Sequence, residues 1–143
     1  MASAFYENFR NVMLGGGTGA AIDLNDAGTA IKVMLRDEGA DALNLADDMY
    51  DDISAGLIGT AATCATKTVG TAGIGAFDHD NVVYTAVSGA SVESLDYYKD
   101  TGTPSTSQLI ANIDEGSITG LPVTPNGGDI NWTPAAGGVF QIT

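Results

Sequence analysis

The stretch "AIKVMLR", residues 30–36, decides the fold. From Thr29 onward the apolar residues change period. Ile31, Val33 and Leu35 fall on one side of an extended chain and Lys32, Met34 and Arg36 on the other, which is strand spacing and not helical spacing. Working outward from there, the same alternation returns at about 60–69, 73–78, 82–87, 91–99, 107–114, 128–133 and 138–142. In "NVVYTAVSG" it sets Val83, Thr85 and Val87 against Val82, Tyr84 and Ala86. In "SQLIANID" it sets Leu109, Ala111 and Ile113 against Ile110, Asn112 and Asp114. The intervals "SGAS", "DTGTPST", "DEGSITG" and "TPNGGD" carry turn chemistry. Short strands at this spacing predict an all-β fold, an antiparallel two-sheet sandwich of about eight strands and of jelly-roll type.

Upstream of residue 30 the period is helical. Ser3 is placed to cap a helix starting at Ala4, with Phe5, Phe9, Val12 and Met13 on one stripe, and "LGGG" ends it. That stripe must cover either the domain's own core or a neighbour's surface. The chain then divides into a helical arm (1–17), a flexible connection (18–29) and a sandwich (30–143), all in one domain. The connection "GGGTGAAIDLNDAGT" superficially resembles a phosphate loop. It follows a helix and lacks lysine, so neither a dinucleotide fingerprint nor a Walker loop is met.

Downstream, "TGLPVTPNGGDINW" (119–132) poses a choice between a ligand loop and a corner. Pro122 and Pro125 cannot donate to a ladder. Pro125, Asn126, Gly127 and Gly128 supply a preset φ followed by residues tolerant of positive φ. The stretch therefore reads as a tight reversal, with Ile130 and Trp132 re-entering a sheet on one side. Asn131-Trp132-Thr133 matches a glycosylation sequon, which carries little weight without a secretion signal.

Charge narrows the partners. Eighteen acidic residues face five basic ones, Arg10, Lys32, Arg36, Lys67 and Lys99, for a net charge of −13. The basic residues are scattered, so no stripe follows a phosphate backbone, and direct nucleic-acid binding and docking on an anionic membrane are both disfavoured. A basic protein surface is the electrostatic complement. The N-terminus lacks the features of a secretory signal and no apolar run is long enough to span a bilayer, so the expectation is a soluble protein made in a cytosol.

The chemistry-bearing residues do not form a catalytic pattern. Cys64 is single, and in "TAATCATKT" it reads as a buried inert thiol; a nucleophile would need His79, the single histidine, beside it. The densest charge is "RDEGADALNLADDMYDDIS", with Asp37, Glu38, Asp41, Asp47, Asp48, Asp51 and Asp52. If 45–53 is a helical turn, Leu45, Met49 and Ile53 share an inward face. Asp47/Asp51 and Asp48/Asp52 then stand four apart and repel by a few tenths of a kcal/mol per pair. The run reads as a solvated acidic edge, with a docking patch for a basic partner as the sharper alternative. It lacks the calcium-loop pattern of an EF-hand. In "FDHDN", Asp78, His79 and Asp80 are adjacent and diverge along a strand, so a turn is expected there and not a metal site. Nothing selects a carboxylate pair for glycoside cleavage. The expectation is no enzyme, no cofactor and no metal.

The run "LDYYKDTGTPSTSQLIANIDEGSITGLPVTPNGGDINW" resembles the small virion structural proteins of tailed bacteriophages. The distinctive part is Thr119 to Ile130, unbroken. "DDISAGLIGTAATCATKTV", "VVYTAVSG", "YENFRNVMLGG" and "IKVMLRD" resemble the earlier parts of that pattern, while "TGAAIDLNDAG" and "DALNLADDMYDD" depart from it. The resemblance implies a jelly-roll capsid cement, or decoration, protein. It would be made in the host bacterial cytoplasm and would lie on the outer capsid surface, clamping the major capsid protein as a dimer or trimer. The attachment residues expected are Phe5, Phe9, Val12 and Met13 on the arm, and Asp47, Asp48, Asp51 and Asp52 on the acidic run. The alternatives are a tail- or fibre-associated glycan-binding module, using Tyr50, Tyr84, Tyr97, Tyr98 and Trp132, or a head–tail connector component.

Overall fold

The computed structural model describes residues 4–19, 21–114 and 120–142. Ser3, expected as a helix cap, and residues 115–119 of the stretch expected to turn lie outside it. The chain is mostly β, with antiparallel sheets. Its largest sheet is built from β1 (Ala4–Phe5), β2 (Ile31–Arg36), β3 (Leu57–Thr63), β7 (Ser94–Lys99) and β8 (Leu109–Asp114), in the order β1-β8-β7-β2-β3. A three-stranded sheet of β4 (Thr68–Val69), β5 (Ala76–Asp78) and β10 (Phe140–Gln141) has the order β10-β5-β4. β6 (Val82–Tyr84) pairs with β9 (Ile130–Trp132). Every stretch expected to be a strand contains one, so the change of period at residue 30 was a sound guide.

Alternation along β2 sorts two cores. Ile31, Val33 and Leu35 join Leu95, Tyr97, Ala111 and Ile113 from the large sheet, and Phe77, Tyr84 and Trp132 from the small sheets, in the main cluster. This is the two-layer packing that one apolar face of a sheet demands. The opposite face is also covered. Met34, Tyr98 and Leu109 pack with Tyr6 and Ile53, and Leu43, Tyr50 and Leu57 close over them. The cover is the acidic segment between β2 and β3, which folds back across the sheet. β7 and β8 are therefore buried on both faces.

The N-terminus differs from the helix expected. Ala4 and Phe5 form a strand opposite Asn112 and Ala111, and the helix α1 spans Glu7–Met13. The extended backbone of β1 is fixed by β8 and continues with the Tyr6 amide donating to the Ile110 carbonyl at 3.1 Å. Phe5 and Phe9 do meet, with ring centroids 5.6 Å apart, but across a strand–helix junction and not along one helix. Phe9 and Val12 face inward and are buried. The stripe covers the chain's own core, so these two residues are not free to attach a partner. Phe5 is half-buried, its ring edge-on to Phe140 at 5.1 Å, and of the four arm residues Met13 alone is exposed.

The connection after α1 is held at several points. Asn8 accepts from the Thr18 amide at 2.7 Å, Asp23 and Asp26 close successive turns, and Ile22 and Leu24 pack on the main cluster.

The stretch 120–132 is a corner. The Gly127 amide donates to the Val87 carbonyl at 2.7 Å, and the Val87 amide to the Gly128 carbonyl at 2.9 Å. Gly127 sits at φ +85°, which the reversal requires. The chain then enters β9, with Asn131 out and Trp132 in.

Candidate functional site

The acidic segment is tied down by one cation. Arg36 ends β2 pointing into the covered face and is fully buried. Its Nη1 lies 3.2 Å from Asp96 Oδ2 and donates to Tyr6 Oη at 3.1 Å. Nε and Nη2 donate to the Asp41 carbonyl at 3.1 and 3.0 Å, and Nη2 also to that of Ala42 at 3.1 Å. The planar fork thus joins β7, the N-terminal strand's continuation and the acidic segment in one network. Asp96 also accepts from Tyr6 Oη at 2.7 Å and from Asn112 Nδ2 at 2.9 Å. Burial raises the Asp96 carboxyl pKa, against the pull of Arg36 and of these donors. Donors alone surround it, so it sits as a carboxylate. Burial also works to lower Arg36, and the charge of Asp96 overrides it, leaving the guanidinium more basic than usual. Sequence reasoning missed this network, because an arginine in an alternating strand reads as an outward residue.

Stapled at one end by Arg36, the segment is stitched at the other to the start of β8. Tyr50 donates to the Ser107 carbonyl at 2.8 Å, and Leu109 to that of Asp48 at 3.0 Å. From that second anchor on, residues Tyr50–Gly56 form a 310 helix with Ile53 buried. The helical turn expected over 45–53 therefore starts at Tyr50. Asp48 and Asp52 do not stand four apart on one helix, although their charges still interact. Asp52 instead turns back and accepts from the Met49 and Asp48 amides at 3.0 and 3.1 Å. The Met49 amide chiefly lowers the Asp52 pKa, while burial, then Asp52 itself, raises that of Asp48. Burial, and then Asp52, raises Asp47 too, whose Oδ1 accepts from Asn44 at 2.7 Å. Asp51 and Asp52 are exposed and Asp47 and Asp48 half-buried. The four residues form one acidic edge on a backed support.

A second polar chain lies in the main core. Trp132 Nε1 donates to Tyr97 Oη at 2.8 Å, and Tyr97 Oη lies 2.9 Å from His79 Nε2. His79 Nδ1 lies 2.5 Å from the Asp80 carbonyl. A neutral ring with its proton on Nδ1 satisfies both contacts: Nδ1 donates to the carbonyl and Nε2 accepts from the tyrosine. Burial lowers the His79 pKa, which favours that neutral form. Asp78 and Asp80 turn elsewhere, Asp80 to Thr66 Oγ1 at 2.5 Å, so the three do not converge. Among the described residues no group of His, Cys, Asp and Glu is arranged to hold a metal ion. Cys64 is buried and its thiol is pushed up to about 12, chiefly by burial.

Of the five aromatics suited to a glycan platform, Tyr84, Tyr97, Tyr98 and Trp132 are buried and Tyr50 alone is half-exposed, its ring 4.3 Å from that of Tyr98. They form no stacking surface. No helix among the described residues is long and apolar enough to cross a membrane. No protein-family model matches the sequence, and no curated protein shows significant similarity to it.

Proposed function

We propose that the protein is a structural component of a tailed-phage virion. In this reading it binds the outer capsid surface and clamps neighbouring major capsid protein subunits. One observation carries the reading: the acidic edge Asp47–Asp52 is presented on a segment fixed at both ends to a doubly covered sheet. Such an edge offers a basic partner carboxylates at little ordering cost. The net charge of −13 favours the side of a shell away from packaged DNA in this reading. The resemblance of Thr119–Ile130 supports the same assignment. Met13 and Leu14, exposed at the end of α1, take the place of the buried Phe9 and Val12 as the arm's contribution to attachment. Repetition over a shell makes a modest interface sufficient, because one clamp holds several subunits at high effective concentration. No bond-making chemistry is assigned.

The jelly-roll layout belongs to this proposal. The long excursion between β3 and β7, which carries the chain through the small sheets, supports it, whereas the pairing of β2 with β3 and β7 with β8 is hairpin-like. The test is copy number. A stained gel of purified virions should give a simple ratio to the major capsid protein, and Asp51→Lys with Asp52→Lys should lower occupancy. A few copies per particle would refute the reading and favour a tail module or connector.

A further inference from the structure

All eighteen carboxylate side chains lie outside two stretches, 53–77 and 130–143. These stretches contain β4, β10 and all of β5 except Asp78. At the end of that sheet remote from Asp78, the turn 70–75 joins β4 to β5 and holds Ile74 with 91% of its surface exposed. Val69 and Ile142, 45% and 42% exposed, belong to the same end. The Gly70 amide donates to the Ala76 carbonyl at 2.8 Å and the Ile142 amide to the Gly75 carbonyl at 3.1 Å. The tip is also packed, since a Cβ on Gly75 would lie 2.3 Å from the Ile142 carbonyl oxygen. Its apolar side chains are thus held outward on a fixed backbone.

We propose that this acid-free end is where two copies of the chain meet. An apolar group this exposed on a fixed tip marks a contact surface when others adjoin it. Charge selects the partner. A basic protein is drawn to the carboxylates of 37–52, and this end offers it no attraction. A second copy, itself at −13, is repelled most where carboxylates are dense and least at this tip; Asp78, opposite Thr68, and Asp80, bonded to Thr66, lie at the other end of β4. The edge is open as well. β4 has β5 on one side, and among the described residues no strand pairs with the other. Lysines commonly guard such edges. Here Lys67 Nζ instead donates inward to the Thr29 carbonyl. A twofold axis beside β4 sets it antiparallel to its copy and buries Val69 and Ile74 of both chains, an isologous contact. This inference does not depend on the capsid reading.

Sedimentation equilibrium of the full chain, over a wide concentration range at low and high salt, tests it. The expected result is a monomer–dimer equilibrium that tightens as salt screens the like charges. Ile74→Asp should weaken it by about tenfold or more, with Ile74→Leu close to the parent and thermal unfolding of both variants unchanged. A parent chain that stays monomeric throughout would overturn the proposal. So would an Ile74→Asp variant that dimerises like the parent, or a dimer that salt weakens.

Discussion

Replacing Arg36 by methionine keeps an unbranched apolar stem in place and withdraws the guanidinium. Asp96, fully buried, then loses the cation 3.2 Å away and retains Tyr6 and Asn112 as donors. The carbonyls of Asp41 and Ala42 lose their side-chain donors too. Removing one partner of a buried ion pair costs about 3–5 kcal/mol, a large share of a total stability of about 5–15 kcal/mol. With a urea slope of about 2 kcal/mol/M, the unfolding midpoint should fall by roughly 1.5–2.5 M. Emission from Trp132, the chain's single tryptophan and a buried one, reports the transition. The double variant Arg36→Met, Asp96→Leu buries no charge and should be at least as stable as Arg36→Met alone. A midpoint shift under about 0.5 M for Arg36→Met, or a double variant as damaged as the sum of the singles, would refute the account of the network.

Phe9→Ala should cost about 3–5 kcal/mol, because Phe9 belongs to the main core, whereas Met13→Ala should stay within about 0.5 kcal/mol; equal effects in urea titrations would return the helix to the role of a detachable arm. Burial holds His79 below its ordinary value of 6.5, so the unfolded chain takes up a proton that the folded chain refuses. Its contribution is full above that value and is lost as pH falls below it. The melting temperature should therefore drop between about pH 7.5 and about pH 5.5, and His79→Gln should flatten that drop. Cys64 should resist a thiol reagent at neutral pH until the chain is unfolded in urea; rapid labelling of the folded protein would contradict its burial.

Much of the sheet architecture was legible because its signals are local. A period of two survives in "IKVMLR" and "LIANID" whatever they pack against, and Pro125-Asn126-Gly127 carries its own turn chemistry. What failed to show were features created by distant partners. Ala4–Phe5 is extended because β8 lies beside it, yet Phe5, Phe9, Val12 and Met13 sit at helical spacing all the same. Arg36 is buried because Asp96, sixty residues on, meets it there. In the candidate site, Asp47, Asp48, Asp51 and Asp52 were found as a group from composition alone. The folding back of Asp52 onto the Asp48 and Met49 amides was not, since capping depends on where the 310 helix begins.

The strand order has a consequence for the chain while it is being made. Ile31 pairs with Lys99 and Ala4 with Asn112, so two of the earliest segments must wait for two of the later ones. At about 5–20 residues per second, Ala4 leaves the ribosome's catalytic centre roughly 5–20 s before its partner does. Arg36 leaves it about 3–12 s before Asp96, and for that time one flank of β2 is an unpaired, apolar-sided ribbon whose arginine lacks its buried partner. Translation rate through residues 37–93, and any chaperone able to hold an extended segment, should therefore govern the yield of soluble chains more than the final stability does.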